Sequence, residues 1–285
     1  MNPYIQSLRL RTLPLSVSGI ILGSGLAGFA NWLVFGLAIC TTLCLQILSN
    51  LCNELGDAQK GTDAAQQGRE AYGLQAGTIT EKQMRVMIGV FIGLCVLFGS
   101  ALVLVAFRQV RPASAICQIA VFLLLGALAI IGAIKYTLGK HSYGYMGLGD
   151  LGVFLFFGLL STMGAYYLQI YSMKWEVFAC GAAIGFPCVG VLNLNNIRDM
   201  QNDLLHGKRT FASCLGSQGA RRYHTLLLAG CLAIFCTYGH YWTLCVTPIW
   251  AWHLWYVWTH TEKLDKQMPI LMLTTLLVAL LALIG

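Results

Sequence analysis

Nine runs of mostly apolar residues recur along this chain, each near the length that crosses a lipid bilayer. They fall at about 12–30, 32–52, 85–107, 113–134, 150–171, 174–195, 222–241, 243–260 and 268–285. A hydrocarbon core about 30 Å thick is spanned by about 20 helical residues. Only helices or closed barrels satisfy their own backbone polar groups there. The pattern predicts an all-α, polytopic membrane protein with nine transmembrane helices. Composition agrees: 57% of the residues are hydrophobic and 10% charged, against about 25% charged in soluble domains. Mean hydropathy is +0.69. The eighth run is the most interfacial in character, with Pro248, His253, Trp242, Trp250, Trp252 and Trp255. The first run, Arg9 and Arg11 followed by Leu15 to Leu26, has the look of a signal peptide. A retained first helix is expected, because its removal would invert the charge pattern that follows.

The net charge of +7 is a membrane-topology signal. With the N-terminus cytoplasmic, nine spans place every Lys and Arg on the inside except Arg108, Arg111 and Lys174. That is the bias expected of cytoplasmic loops. No basic run is interleaved with aromatics, so nucleic acid is not an expected partner. The 11 cysteines form no Cys-x-x-Cys pair. Most lie in apolar segments, where Cys behaves as a small apolar side chain. Neither a disulfide framework nor a zinc site is expected, and the 6 histidines have no ligand spacing.

Two polar breaks stand out. Asn53, Asp57 and Gln59 repeat as Asn195, Asp199 and Gln201, both Asn-x-x-x-Asp-x-Gln at the end of an apolar run. Four spans separate the two copies, an even number, so both open on one membrane face. The repetition points to one domain of two pseudo-repeated four-helix units, about 12–134 and 150–260, plus a last helix.

Asn53 and Asp57 are four residues apart and share a helix face, as do Asp199 and Asp203. Gly61 would let the chain turn and bring Asp63 back. Four carboxylates converging at a membrane surface repel unless a cation neutralises them. An oxygen-only donor set suits Mg2+, which takes phosphate oxygens as co-ligands. Arg198, Lys208 and Arg209 stand beside the second set. Acids and bases together at the mouth of an apolar bundle read as a site for a lipid diphosphate, its tail in the bundle.

These residues carry a resemblance to a known family. Arg11-Thr12-Leu13-Pro14, Gln46 to Asn50, Asn53-x-x-x-Asp57-x-x-x-Gly61-x-Asp63, Gln75-x-Gly77-x-Ile79-Thr80, Tyr143 to Asp150, Gly164-x-Tyr166-Tyr167-x-Gln169 and Asn193 to Thr210 match. Over about residues 9 to 225 the chain resembles the UbiA superfamily of intramembrane aromatic prenyltransferases. Within it, the 1,4-dihydroxy-2-naphthoate polyprenyltransferase branch of menaquinone synthesis is the nearest match. The resemblance implies a helix bundle around a central cavity in the cell inner membrane, its active site open to the cytoplasm. It implies that Asn53, Asp57, Asp63, Asp199 and Asp203 hold Mg2+ and the polyprenyl diphosphate. Tyr136-x-x-x-Lys140 resembles the family's Tyr-x-x-x-Lys element, with Lys140 on the diphosphate. Asn195, Asn196, Arg198, Lys208, Gln75 and Arg11 are the further substrate-binding candidates, with Tyr166 and Gln169 as cavity lining. The implied reaction joins the prenyl chain to the carboxyl-bearing carbon of the naphthoate with loss of CO2, giving demethylmenaquinone. Two departures are visible. Glu54 stands where relatives carry Asp, and Gln67 and Tyr72 stand where the branch often has arginines.

Two other readings fit the residues. One is the same fold with another acceptor, such as 4-hydroxybenzoate or homogentisate. The other is a cation-coupled transporter, which the position of the acids at span ends disfavours. Asp150, at a helix start, is expected to cap. Gly19, Gly23, Gly25 and Gly28 are expected to mediate close helix packing.

Overall fold

The computed structural model describes residues 2–61, 73–110, 112–260 and 264–284, apart from the side chains of residues 109 and 112–114. All regular structure among them is helical. A short α1 (Pro3–Ser7) leads into α2 (Leu13–Leu26), α3 (Trp32–Lys60), α4 (Glu81–Ala106) and α5 (Pro112–Lys135). Next, α6 (Gly149–Val153) continues through a π-helix over Phe154–Leu160 into α7 (Ser161–Ile170), forming one rod. The chain ends with α8 (Trp175–Leu205), α9 (Phe211–Thr237), α10 (Thr247–Thr259) and α11 (Gln267–Leu281). With that rod taken as one, a helix stands at each of the nine apolar runs. Six of them are long and apolar enough to cross a membrane by length and composition: Trp32–Lys60, Glu81–Ala106, Ala115–Lys135, Gly149–Ile170, Trp175–Leu205 and Leu264–Leu281. Helices α2, α9 and α10 fall outside that measure.

The helices outlast the apolar runs that reveal them: those runs end at about 52 and 195, yet α3 runs to Lys60 and α8 to Leu205. Each motif therefore occupies the last turns of a long helix, where its four-residue spacing puts Asn and Asp on one face. Glycine ends both helices: Gly61 and Gly207 each adopt a φ of 72°, a left-handed conformation that costs a side chain dearly. Each succeeding helix then opens on a threonine capping box, Thr80 with Gln83 before α4 and Thr210 with Ser213 before α9. Such a cap is worth about 1 kcal/mol.

Helix α8 is the axis of the bundle. Of its most apolar window 78% is buried, against 6% for that of residues 115–135, which belongs to the periphery. Leu124, Leu128 and Ile131 on α5 face outward, as a lipid-facing surface requires. The rod of α6 and α7 lies against α8 at a glycine contact, where a Cβ on Gly158 would come within 2.7 Å of the Gly185 Cα. Gly19 and Gly23 of α2 meet Ser161 and Thr162 as closely, so small residues set the helix spacing. Gly25 packs on Leu283. Gly28 does not pack; it turns the chain after α2 with a φ of 70°.

Candidate active site

The ends of α3 and α8 open on a cavity of 410 Å³, within the range of small-molecule sites. Its mouth carries Asn53 and Asp57 from α3 and Asn195, Arg198, Asp199 and Asp203 from α8. Arg9, Arg11, Gln75, Tyr136, Lys208 and Asp265 complete the polar rim. Deeper, Leu102, Phe122, Phe156, Leu160 and Leu168 make the walls apolar. The sequence motifs thus meet at one mouth, with hydrocarbon-like walls behind them.

The first half-site is held by the loop after α5. Thr137 Oγ1 donates to the Cys52 carbonyl (2.9 Å) and to Asn53 Oδ1 (3.1 Å). This approach needs Gly56, since a Cβ there would lie 2.7 Å from the Thr137 Cβ. Lys60 donates from Nζ to the Thr137 carbonyl (2.8 Å) and to Ser142 Oγ. Its ammonium also sits 3.5 Å from the centroid of the Tyr145 ring, a cation–π geometry. The Tyr145 hydroxyl donates to Asp57 Oδ1 (2.8 Å). Tyr145 further joins the halves, because its carbonyl accepts from Arg209 N (3.1 Å) and Lys208 Nζ lies 5.5 Å from its ring centroid. Tyr136 packs edge-on against Tyr143. Burial first, then the nearby carboxylates of Asp150, Asp57 and Asp203, hold the Tyr136 phenol far above its usual range. Burial pushes Tyr143 up to about 12. Both phenols stay protonated at neutral pH.

The second half-site centres on Arg198. A guanidinium has five N–H donors, and here all are engaged. Nε and Nη2 hold Asp199 in a fork at 2.6 and 2.5 Å. Nη2 also donates to Asn195 Oδ1 (2.7 Å). Nη1 reaches the Asp265 carboxylate and lies 3.8 Å from Met268 Sδ. One turn beyond Asp199, Asp203 Oδ2 forms a buried ion pair with Lys208 Nζ at 3.1 Å. Asp203 feels the charges of both Asp199 and Asp57.

The donors at this mouth are oxygens: the Asn53 amide and the carboxylates of Asp57, Asp199 and Asp203. That chemistry fits Mg2+ rather than zinc. No three His, Cys, Asp or Glu among the described residues are yet close enough together to hold an ion. The carboxylates are engaged instead by Tyr145, Arg198 and Lys208, partners that cations would displace or share.

Other expected residues fall elsewhere. Lys140 is exposed on the loop after α5 and does not line the cavity. The Tyr-x-x-x-Lys spacing joins two residues on one face only inside a helix, and α5 ends at Lys135, one residue before Tyr136. Gly139, with a φ of 92°, then turns the chain away. Tyr166 is 2% exposed, a core residue off the cavity. Gln169 clamps the turn before α3, accepting from Asn31 N (2.6 Å) and donating to the Asn31 carbonyl (3.2 Å). Asn196 is buried beside the lining residue Asn195, on the far face of α8. Gln59 pairs with Glu81 rather than with the site. Glu54 is fully buried, its Oε1 accepting from Leu74 N (2.8 Å) and Ser7 Oγ (3.2 Å). It fastens α1 and the segment bearing Gln75. Asp150 lies buried in the first turn of α6, but Leu148 holds the cap position and no side chain caps that helix, so the expected capping role is not seen. Asp63, Gln67 and Tyr72 lie outside the described residues.

Lys60, Thr137, Tyr145 and Asp265 were not anticipated. Lys60 had a signal, being three residues past Asp57 on the same helix face. Tyr145 lay inside a matched segment. Asp265 sits in a stretch with no repeat and no motif.

The match to the family model for the UbiA prenyltransferase family covers residues 13–278; the chain belongs to this family. Its relatives include the 1,4-dihydroxy-2-naphthoate octaprenyltransferase of Escherichia coli (strain K12), 41% identical over 255 residues, 87% of this chain and 79% of the relative. The enzyme of that name from Haemophilus influenzae is 38% identical over 80% of this chain and 74% of its own. Among solved structures, a UbiA homolog from Archaeoglobus fulgidus bound to GPP and Mg2+ superposes with a TM-score of 0.66 at 14% identity, covering 99% of both chains. The apo UbiA homolog from Aeropyrum pernix K1 gives 0.69 at 15% identity, over 100% of this chain and 98% of that one. The bundle is thus the UbiA fold, and the chain is a multi-pass membrane protein of a prenyltransferase family.

Proposed function

We propose that the protein transfers a polyprenyl chain from polyprenyl diphosphate to 1,4-dihydroxy-2-naphthoate, releasing diphosphate and CO2 and giving demethylmenaquinone. The observation that carries this reading is the convergence of Asn53, Asp57, Asp199 and Asp203 at the mouth of one apolar-walled cavity. Two relatives above 35% identity bear the name of that activity.

Asn53, Asp57, Asp199 and Asp203 would hold Mg2+, with Asp63 a further ligand by proposal. The ion would neutralise the diphosphate and make it a better leaving group. Lys208 lines the cavity and Lys60 sits on the Tyr145 ring that Lys208 also approaches; both would add positive charge near the leaving group's growing negative charge. Arg9 and Arg11 on the rim add to that field. The apolar walls take the prenyl tail and keep water from the allylic carbon. The electron-rich acceptor ring attacks C1 of the chain as the C–O bond to diphosphate breaks. CO2 then leaves, and its bonding electron pair restores the aromatic ring. Gln75 and Arg11 are the proposed acceptor contacts.

The bundle is further proposed to cross the cell inner membrane nine times with a cytoplasmic N-terminus, opening its cavity to the cytoplasm. The charge segregation supports this orientation. The two-unit duplication is supported by the matched glycine helix ends and threonine caps.

The test uses purified protein, one polyprenyl diphosphate and a panel of aromatic acceptors. Prenylated product with stoichiometric CO2 from the naphthoate is expected. Preference for 4-hydroxybenzoate or homogentisate would overturn the acceptor. Cation-driven uptake into proteoliposomes without product would favour the transporter.

A further inference from the structure

We propose that Asp265, in the short turn Leu264–Lys266 that leads into α11, is a positioning residue that frees Asp199 for the cation by sharing the charge of Arg198. The inference rests on the Mg2+–diphosphate reading above. Arg198 and Asp199 are adjacent in sequence, and their side chains are only 11% and 9% exposed. Left to themselves they would form a closed, neutral pair with two parallel bonds, the strongest geometry such groups adopt. A carboxylate so held is a poor metal ligand, because a cation must first strip it from its arginine.

Asp265 changes this balance. Its carboxylate takes Nη1, the end of the guanidinium that Asp199 does not use. Two carboxylates around one guanidinium leave the group with one net negative charge at the rim. Met268, three residues on, touches the same nitrogen, and Asn195 takes the second hydrogen of Nη2. Arg198 is therefore held from three sides and stays in place when Asp199 turns toward a cation. Asp265 is 58% exposed, so its charge stays hydrated and costs little to keep ionised. It also lines the cavity mouth, where its field adds to the attraction for a divalent ion. Asp265 acts through Arg198, and no direct ligation is required of it.

The experiment measures Mg2+ dependence in full-length protein at saturating substrates, for wild type, Asp265→Asn and Asp265→Glu. A second readout follows Mn2+ binding by electron paramagnetic resonance in the presence of inorganic diphosphate, without turnover. Removing one charge near a divalent site predicts about a tenfold rise in half-saturating metal for Asp265→Asn in both measurements. Turnover at saturating metal should stay within about twofold of wild type, and Asp265→Glu should restore the wild-type metal dependence. An unchanged metal dependence in Asp265→Asn overturns the inference. So does a loss of turnover at every metal concentration with unchanged Mn2+ binding, which would make Asp265 a fold anchor. If the wild type itself works without a divalent ion, the underlying metal reading fails instead.

Discussion

The most confined contact at the site is that between Gly56 and the loop after α5, and Gly56→Ala tests it directly. The added Cβ would stand 2.7 Å from the Thr137 Cβ and 3.0 Å from its carbonyl carbon. Ordinary contact begins at 3.4 Å, so the loop backbone must retreat by about 0.7 Å. A side-chain rotation cannot relieve a clash with backbone. Overpacking of this kind costs about 1–3 kcal/mol, partly offset by the roughly 1 kcal/mol that Ala gains over Gly in a helix. Gly89 in α4 supplies the contrast, with nothing within 4 Å of a Cβ. Gly89→Ala should stabilise by about 0.5–1 kcal/mol. The functional cost follows from the same retreat. The Lys60–Thr137 bond of 2.8 Å would stretch to the limit of hydrogen bonding, and the 3.1 Å bond to Asn53 beyond it. A bond to a charged group is worth about 1.5–3 kcal/mol, so kcat/KM for the prenyl diphosphate should fall about tenfold or more. Thermal unfolding in detergent and steady-state kinetics read the two effects. Equal melting temperatures for Gly56→Ala and Gly89→Ala, with unchanged kcat/KM, would refute the reasoning.

Three further outcomes are expected. Asp57→Asn and Asp199→Asn should each abolish turnover while the protein still inserts in the membrane, and excess EDTA should do the same to wild type; residual activity above a few per cent in any of these, on the scale of lost transition-state charge stabilisation of about 3 kcal/mol, counts against the diphosphate site. Lys60→Gln should raise KM for the prenyl diphosphate about tenfold, whereas Lys140→Gln, exposed and away from the cavity, should match wild type in the same kinetic assay. Tyr145→Phe keeps the ring beside Lys60 and loses only the 2.8 Å bond to Asp57; it should lower kcat/KM about tenfold, and a Tyr145→Leu variant, losing the ring as well, should be worse.

The helices and the half-sites were legible in the sequence for the same reason. Apolar runs of spanning length and a four-residue polar spacing are both local patterns, and α3 and α8 carry one after the other. What the apolar runs understate is extent: α3 and α8 continue past them through the motifs, as the four-residue spacing of Asn53 and Asp57 already implies. Lys140, taken from the resemblance alone, lies exposed on the loop beyond the end of α5 and away from the cavity. Lys60 stands on another helix, and only the fold brings it to Thr137 and Tyr145. Asp265 was invisible because its role depends on a contact with Arg198 across 67 residues. Tyr166 and Gln169 sit in a matched segment, yet the first is core and the second a tie at Asn31. A motif preserves whatever a fold needs, and packing is part of that need.

The π-helix at Phe154–Leu160 has a consequence for how this chain is aligned with others. A π turn holds an extra residue relative to an α turn, so this stretch takes up one residue that a plain α-helix would pass on as a rotation of about 100° in everything after it. Deleting one residue within Phe154–Leu160 should restore plain α geometry and leave Gln169 on Asn31 and Tyr166 in the core. The same deletion in the regular helix after Leu160 would swing both away. A relative without the π turns should therefore be one residue shorter here, and its equivalents of Tyr166 and Gln169 are found by placing the gap within Phe154–Leu160 rather than in the loops on either side.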